Sequence, residues 1–457
     1  MNYRECIAGF LRLRLTELGG DIMLDADGYD RLAAEYGTPL YVYDGEVLAG
    51  ALDRLHRALP DGMEVFYSLK ANPNLGVCAL LAAHGARAEV SSLVELMTAV
   101  RAGVAPDDIV FLGPGKSPAE LTACVATGIW AVVVESFQEL DELDRVAAAA
   151  NTRQRVLLRV NPSTSAGRSG LTMGGKPRQF GIDEKALLEA GPLGDRHPHL
   201  ELAGIHAYLG TRILDAGTVV ANTALVLDMA ERIAKATGIG LEAVDVGGGL
   251  GVAYFDGEAD PDLDALREGM AGAVAPFRAR HPGTRLLFET GRFLAALAGT
   301  YVVRVRYVKD SMGKRFAVTD GGTHHHMAAV GLGSYVKRNF PVRLLSRPGA
   351  PADGPWQLTG PLCTPHDLIA KDVPLPDPAP GDLVGIERSG AYGPTASPGL
   401  FLSHGFPAEV LVHEGTAHLV RVRDEPADLL DRQRLPLPFE KERPWSRQRP
   451  STRSPSS

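Results

Sequence analysis

Cysteine is scarce in this chain. There are four in 457 residues (Cys6, Cys78, Cys124 and Cys363), and none falls in a Cys-x-x-Cys or otherwise paired spacing. That excludes a disulfide framework and a cysteine-rich zinc site, and it fits reduced thiols in a cytoplasmic protein. No apolar run reaches the ~18 residues of a spanning helix, so no membrane partner is expected. The N-terminus carries Arg4 and Glu5 and then a mixed Leu/Arg stretch, with no apolar signal-peptide block. Basic excess is missing too. Lys+Arg is 47 against 55 for Asp+Glu, a formal charge of -8, which argues against a nucleic-acid partner. The length suffices for two or three domains with a large core.

Strand-like apolar runs alternate with helical patterns. Leu11, Leu13, Leu15 and Leu18 among arginines predict a short helix over 1–19. Residues 38–43 read as a strand, after which Asp44 caps a helix with Val47, Leu48, Leu52, Leu55 and Leu59 on one face. Further strands are expected near 65–69, 87–91, 109–113, 131–135, 155–160, 202–208, 242–246 and 285–289. Most are continuous apolar runs, as parallel strands buried on both faces require. Ser92-Leu93-Val94-Glu95 predicts a capping box, and Gly85 and Gly128 predict helix stops. Eight βα units over about 250 residues are the count of a (β/α)8 TIM barrel, here over 44–292. A doubly wound sheet is the competing fold. Residues 20–43 and 293–432 are assigned to an antiparallel β domain, because the pattern after 293 changes to alternating strands punctuated by Gly and Pro. The Arg/Pro/Ser-rich tail over 440–457 predicts disorder.

Polar residues gather at the C-terminal ends of these strands, the catalytic face of a barrel. Lys70 closes the run Val65-Phe66-Tyr67-Ser68-Leu69, and Glu89 with Ser91, Arg159 with Asn161, and His206 with Tyr208 close later ones. Gly247-Gly248-Gly249 and Glu289-Thr290-Gly291-Arg292 follow the last two strands, where barrels commonly hold a phosphate. Burial would lower the Lys70 pKa and free its amine as a nucleophile toward carbonyls; a strand-end lysine snorkelling to water is the plainer alternative. Three glycines admit backbone N–H groups close to an anion, or simply make a tight loop. Arg292 adds a charge-assisted contact. Glu289 suits a pyridine nitrogen, whose protonation makes the ring an electron sink, or an ordinary ion pair.

Together with Tyr67-Ser68-Leu69-Lys70-Ala71-Asn72, Gly360-Pro361-Leu362-Cys363 and Gly390-Ala391-Tyr392-Gly393, these motifs resemble the fold-type III pyridoxal-phosphate decarboxylases, the family of diaminopimelate and ornithine/arginine decarboxylases. The resemblance spans roughly 20–430 and implies α-decarboxylation of an L-amino acid, free or bound to a carrier protein. It implies that Lys70 holds pyridoxal 5'-phosphate as a Schiff base, that Glu89 lies near the ring, and that Glu289 meets the pyridine nitrogen. Gly247, Gly248, Gly249, Gly291, Arg292 and Tyr392 would hold the phosphate, with Arg159 and His206 close to the cofactor. It further implies a homodimer with shared sites, in which Cys363 of one subunit returns a proton in the other. Tyr208 stands where the family's ring-stacking histidine stands, and Thr211 replaces a serine. Thr364 and Asp367, beside Cys363, join His324 and His325 on the substrate side. The run His324-His325-His326 alternates faces and has no acidic or cysteine partner, so no metal is expected. Diaminopimelate decarboxylases carry an arginine and a glutamate for the substrate's distal head, and this chain has Ala328 and Thr364 at those places, with Leu332 for a tyrosine. The Gly-rich stretch 331–335 suggests a roomier, less charged pocket. That favours the branch linked to secondary metabolism, including enzymes acting on carrier-tethered glutamyl groups. Diaminopimelate decarboxylase proper, an amino-acid racemase and a non-catalytic homologue are the alternatives.

Overall fold

The structure is a computed structural model that describes residues 17–18, 22–163, 177–330 and 338–434. Eight parallel strands form a ring: Met63–Ser68, Arg87–Val90, Ile109–Phe111, Ala131–Val134, Gln154–Asn161, Leu200–His206, Ala243–Gly248 and Arg285–Thr290. Each pairs with the next in the chain. Arg285–Thr290 then pairs with Met63–Ser68 and closes the barrel. Every expected barrel strand is present, and the doubly wound alternative is excluded by this closure. The reason is visible in Ala131–Val134, where all residues are buried. Side chains there pack inward against other strands and outward against helices, so the run is apolar without alternation.

The helices begin where side chains can take up orphan N–H groups. Asp44, Asn74, Ser117, Ser136, Asp215 and Asp262 each accept from the first turn of the helix they precede, a contribution of typically ~1 kcal/mol per cap. Ser92 does the same through the Glu95 N–H, but the Glu95 carboxylate reaches past it to the Ser91 N–H, 2.7 Å away. The predicted capping box is therefore half formed, and Glu95 instead braces the strand end that carries Glu89. Cys78 and Cys124 are buried in helices of the core. Burial pushes the Cys124 thiol up to about 12 and Cys78 higher still, so both act as small apolar side chains.

A second sheet of ten strands lies beside the barrel. Most of its pairings are antiparallel, with two parallel ones, Leu40–Asp44 with Ala408–His413 and Lys314–Thr319 with Pro355–Thr359. The helix expected over 1–19 needs correction where it is described. Glu17–Leu18 is a short strand paired with Ala417–His418, because the edge of Thr416–Arg421 offers unpaired backbone groups to the passing chain. The rest of that segment, the 331–335 stretch and the 440–457 tail lie outside the described residues. Helix Ala26–Tyr36 escaped the sequence reading; it turns Tyr29, Leu32 and Ala33 toward the second sheet. Among the described residues no helix is long and apolar enough to cross a membrane.

The two sheets meet around one turn. Lys70 lies in a single helical turn, Leu69–Ala71, just after Met63–Ser68. Tyr67 donates to the Asn72 carbonyl at 2.9 Å, Asn72 donates to the Gly390 carbonyl at 3.0 Å, and the Tyr392 N–H donates to the Ala71 carbonyl at 2.7 Å. Asn74 and Tyr43 both donate to the buried Glu409 carboxylate, at 3.0 and 2.7 Å. The lysine is thus held from both the barrel and the second sheet.

Candidate active site

A cavity of about 450 Å³ opens at the C-terminal ends of the barrel strands. Lys70, Arg159, Tyr208, Thr211, Glu289, Arg292 and Tyr392 all line it. Residues that sequence reasoning passed over line it as well: Leu112, Gly113 and Pro114 after Ile109–Phe111, and Phe180. The strand-end rule that found Lys70 applies equally to Leu112-Gly113-Pro114, which was legible for that reason.

Lys70 is an ion-paired cation here. Its ammonium lies 2.9 and 3.2 Å from the two oxygens of the buried Glu89, and Ser91 donates to the same carboxylate at 3.0 Å. Burial alone would push the Lys70 amine down, as the sequence suggested. The Glu89 and Glu289 carboxylates outweigh it and hold the amine above its ordinary range. Its side chain remains 40% exposed, toward the cavity. The Tyr208 ring lies below the ammonium at 5.7 Å, and burial pushes its hydroxyl up to about 12 despite that cation.

Glu289 is fully buried at the end of Arg285–Thr290, and neither of its oxygens has a hydrogen-bond partner among the described residues. Burial pushes its carboxyl up; His206 at 3.3 Å, Lys70 and Arg159 pull it down and prevail, to about 2. Asp245 lies behind it, accepts the Gly247 N–H at 2.9 Å, and is pushed well above the carboxylate range by burial and by Glu289 itself. His206, Asp245 and Glu289 bring one donor atom each within 4.8 Å of one another. Of the three, Glu289 lines the cavity, and His206 and Asp245 stand behind it. Arg159 is anchored by the buried Glu135 at 2.7 Å, which also accepts the Gly113 and Gly181 N–H groups at 3.1 Å each. Sequence reading missed Glu135, although it too stands at a strand exit.

The glycine triplet is required by the backbone itself. A Cβ on Gly248 would lie 2.0 Å from the Glu289 carbonyl oxygen, and one on Gly249 (φ +79°) 2.0 Å from that of Gly210. Gly291 meets Ala71 Cβ at 2.6 Å on the same terms. These approaches bring the Thr211 loop, Glu289 and the Lys70 turn to one point, with Arg292 stacked over Tyr392 at 4.4 Å and donating to Tyr254 at 3.1 Å. Gly248→Ala should therefore lose roughly 3 kcal/mol of stability, read from denaturant melts. Gly272→Ala, in open space on a helix, should gain up to ~1 kcal/mol. Equal small effects from both would overturn this account of the triplet.

The remaining predicted residues lie elsewhere in the subunit. Cys363 is exposed on the second-sheet side, and Thr364 and Asp367 border a separate groove. The Asp367 carboxylate accepts from the Thr323 N–H and hydroxyl and from the Leu362 N–H, at 2.8, 2.9 and 2.8 Å. Within its own subunit these bonds hold the Cys363 loop, away from the Lys70 cavity. His324, His325 and His326 are buried in the second sheet, not around the Lys70 cavity. His325 bonds the Gly405 carbonyl at 2.8 Å and His326 the Ser389 hydroxyl at 2.7 Å. Burial above all holds the three near 3, 4 and 3, so they are neutral packing groups. Within one subunit they do not line the substrate side.

Residues 47–296 match the model of the pyridoxal-dependent decarboxylase family, pyridoxal binding domain. The chain is 36% identical over 413 residues to an L-glutamyl-[BtrI acyl-carrier protein] decarboxylase of Niallia circulans, covering 89% of this chain and 96% of that protein. It is 30% identical over 403 residues to a diaminopimelate decarboxylase of Helicobacter pylori strain J99, covering 88% and 96%. The crystal structure of Helicobacter pylori diaminopimelate decarboxylase complexed with L-lysine superposes with a TM-score of 0.79 at 29% identity, over 88% of this chain and 98% of that one.

Proposed function

The chain belongs to the pyridoxal-dependent decarboxylases, and from that premise we propose that its substrate is an amino acid joined through its side chain to a carrier protein. It is a pyridoxal-phosphate enzyme that removes the α-carboxyl group of an amino acid. The observation that carries the narrower reading is the uncharged pair Ala328 and Thr364. A diaminopimelate tail is a second zwitterion and needs a cation and an anion to meet it. A glutamyl group tethered by its side-chain carboxyl keeps its α-amino and α-carboxyl groups and has a neutral tail. An unpaired buried charge costs roughly 3–5 kcal/mol, which is about two to nearly four orders of magnitude in rate.

The residues suit the cofactor. A buried carboxylate without hydrogen-bond partners, a lysine within the same cavity, and an arginine beside a glycine turn match a pyridine nitrogen, an aldehyde and a phosphate. Bound pyridoxal phosphate supplies a sink for the electron pair that CO2 leaves behind. In our reading Lys70 would hold it through its side-chain amine, and Glu89, 2.9 Å away, would orient that amine. Glu289, held low by His206, Lys70 and Arg159, would present its charge to the ring nitrogen. Thr211, Gly247, Gly248, Gly249, Gly291, Arg292 and Tyr392 would hold the phosphate, Arg159 would stand beside the ring, and Tyr208 would offer it an aromatic face. Cys363 would supply a proton from the partner subunit of a cytoplasmic homodimer, a reading supported by its exposure and its distance from the cavity of its own subunit.

The experiment is CO2 release with pyridoxal phosphate from meso-diaminopimelate, from free amino acids, and from glutamate thioesterified through its side chain to a carrier protein. The thioester should be preferred over meso-diaminopimelate by roughly a hundredfold or more in kcat/KM. Turnover of meso-diaminopimelate at the level of a dedicated enzyme would refute the pocket argument.

A further inference from the structure

Outside the barrel cavity, the second sheet carries a groove of about 490 Å³. It is open on a sheet face whose side chains are fixed by register. Lys309 pairs with Phe316 and Ser311 with Lys314, and Phe316 and Val318 pair with Gln357 and Thr359. Alternation therefore puts Lys309, Lys314, Phe316 and Val318 on the same face. Lys371, from the neighbouring strand Leu368–Pro374, lines that face as well. The three lysines are exposed. Lys314 lies 3.8 Å from Asp372, and among the described residues Lys309 and Lys371 enter no ion pair. Asp310 is on the opposite face, paired with Arg315, and the Asp367 carboxylate is turned inward to Thr323 and Leu362. The outer end of the groove is thus positive.

From that band the groove follows Lys314–Thr319 past Val318, Thr359 and Leu362 to Thr364, with Asp367, its carboxylate bonded inward to Thr323 and Leu362, as the lining acid of that stretch. Lys314 to Val318 spans on the order of 13 Å at strand rise. The inner end adjoins Cys363. An anionic head, a long neutral body and a terminus delivered to Cys363 define the ligand. Acyl carriers present their cargo on such a group, a phosphodiester followed by a neutral pantetheine chain ending in a thioester. We propose that this face binds the phosphopantetheine arm of the carrier, phosphate on the lysines and cargo toward Cys363, so that the arm lying on one subunit feeds the partner's site. This rests on the carrier-tethered reading above and adds the surface that recognises the tether.

Two measurements separate the two ideas. Calorimetry on the full-length, cofactor-loaded protein uses 4'-phosphopantetheine and its dephosphorylated form, pantetheine, as probes. Phosphopantetheine should bind at least roughly tenfold more tightly, and the preference should shrink as salt is raised. The combined variant Lys309→Ala/Lys314→Ala/Lys371→Ala should erase that preference while keeping the bound-cofactor absorbance of the folded protein. Equal affinity for both probes, or a preference that survives in the variant, would overturn the groove assignment. Turnover of glutamyl thioesters of the same two probes tests the substrate reading separately. Phosphate-selective binding without turnover of either thioester upholds the groove and defeats the glutamyl substrate.

Discussion

Lys70→Ala should abolish decarboxylation, by about four orders of magnitude or more, as loss of a covalent nucleophile does elsewhere. Borohydride treatment of the wild-type holoenzyme should fix the cofactor on the peptide containing Lys70; a label on any other lysine would sink the assignment. The alanine variant also strands the buried Glu89 carboxylate, which now has its cation 2.9 Å away. Breaking such a pair costs roughly 3–5 kcal/mol, so reduced folding could mimic lost chemistry. Lys70→Arg separates the two. It keeps a cation for Glu89 and Glu289 but has no amine to join a carbonyl. A folded, inactive Lys70→Arg protein without borohydride label is the expected result. Because the Lys70 amine is held above its ordinary range, cofactor uptake by the unloaded protein should quicken as pH rises, since only the neutral amine is nucleophilic.

The second large effect concerns assembly. Cys363→Ala should lower turnover by roughly 10²–10⁴, the range for a lost general acid. If Cys363 serves the partner's cavity, mixing inactive Lys70→Ala and Cys363→Ala subunits should restore activity. In a two-fold dimer each hybrid has one intact and one doubly defective site, so random exchange returns about a quarter of the wild-type activity. The reasoning is geometric. Cys363 is exposed, its loop is fixed by Asp367, and none of the residues lining the Lys70 cavity comes from that loop. No recovery, despite subunit exchange demonstrated by differently tagged chains, would count against a shared site.

Where sequence reading fell short, charge and distance were at issue. The apolar run before Lys70 led the sequence to suggest a buried amine, yet the side chain is 40% exposed toward the cavity and its protonation depends on Glu89, nineteen positions on and one strand over. The His324-His325-His326 run looked like part of the substrate side because histidines are chemically versatile. The structure turns them into the packing of Tyr41, Tyr301 and Phe340, where burial keeps them neutral. Asp367 stands beside Cys363 in sequence, and only the fold shows that its oxygens accept from Thr323 and Leu362.

The sequence by itself determined the barrel, its eight strands, and the face on which chemistry gathers. A strand covered on both sides must be apolar throughout, so its ends are where polar residues are tolerated, and both facts are local. It also determined the lysine, the acidic residue of Glu289-Thr290-Gly291-Arg292 and the glycine turn. The tertiary structure alone decided which charges meet. Glu89 on Lys70, His206 behind Glu289, and Glu135 under Arg159 are contacts between neighbouring strands or across the ring, brought together by barrel closure. It likewise decided that Gly248 and Gly249 are glycines because other backbone lies 2.0 Å from where a Cβ would be. Electrostatic and steric terms of this kind act through space, and chain order does not encode those separations until the ring has closed.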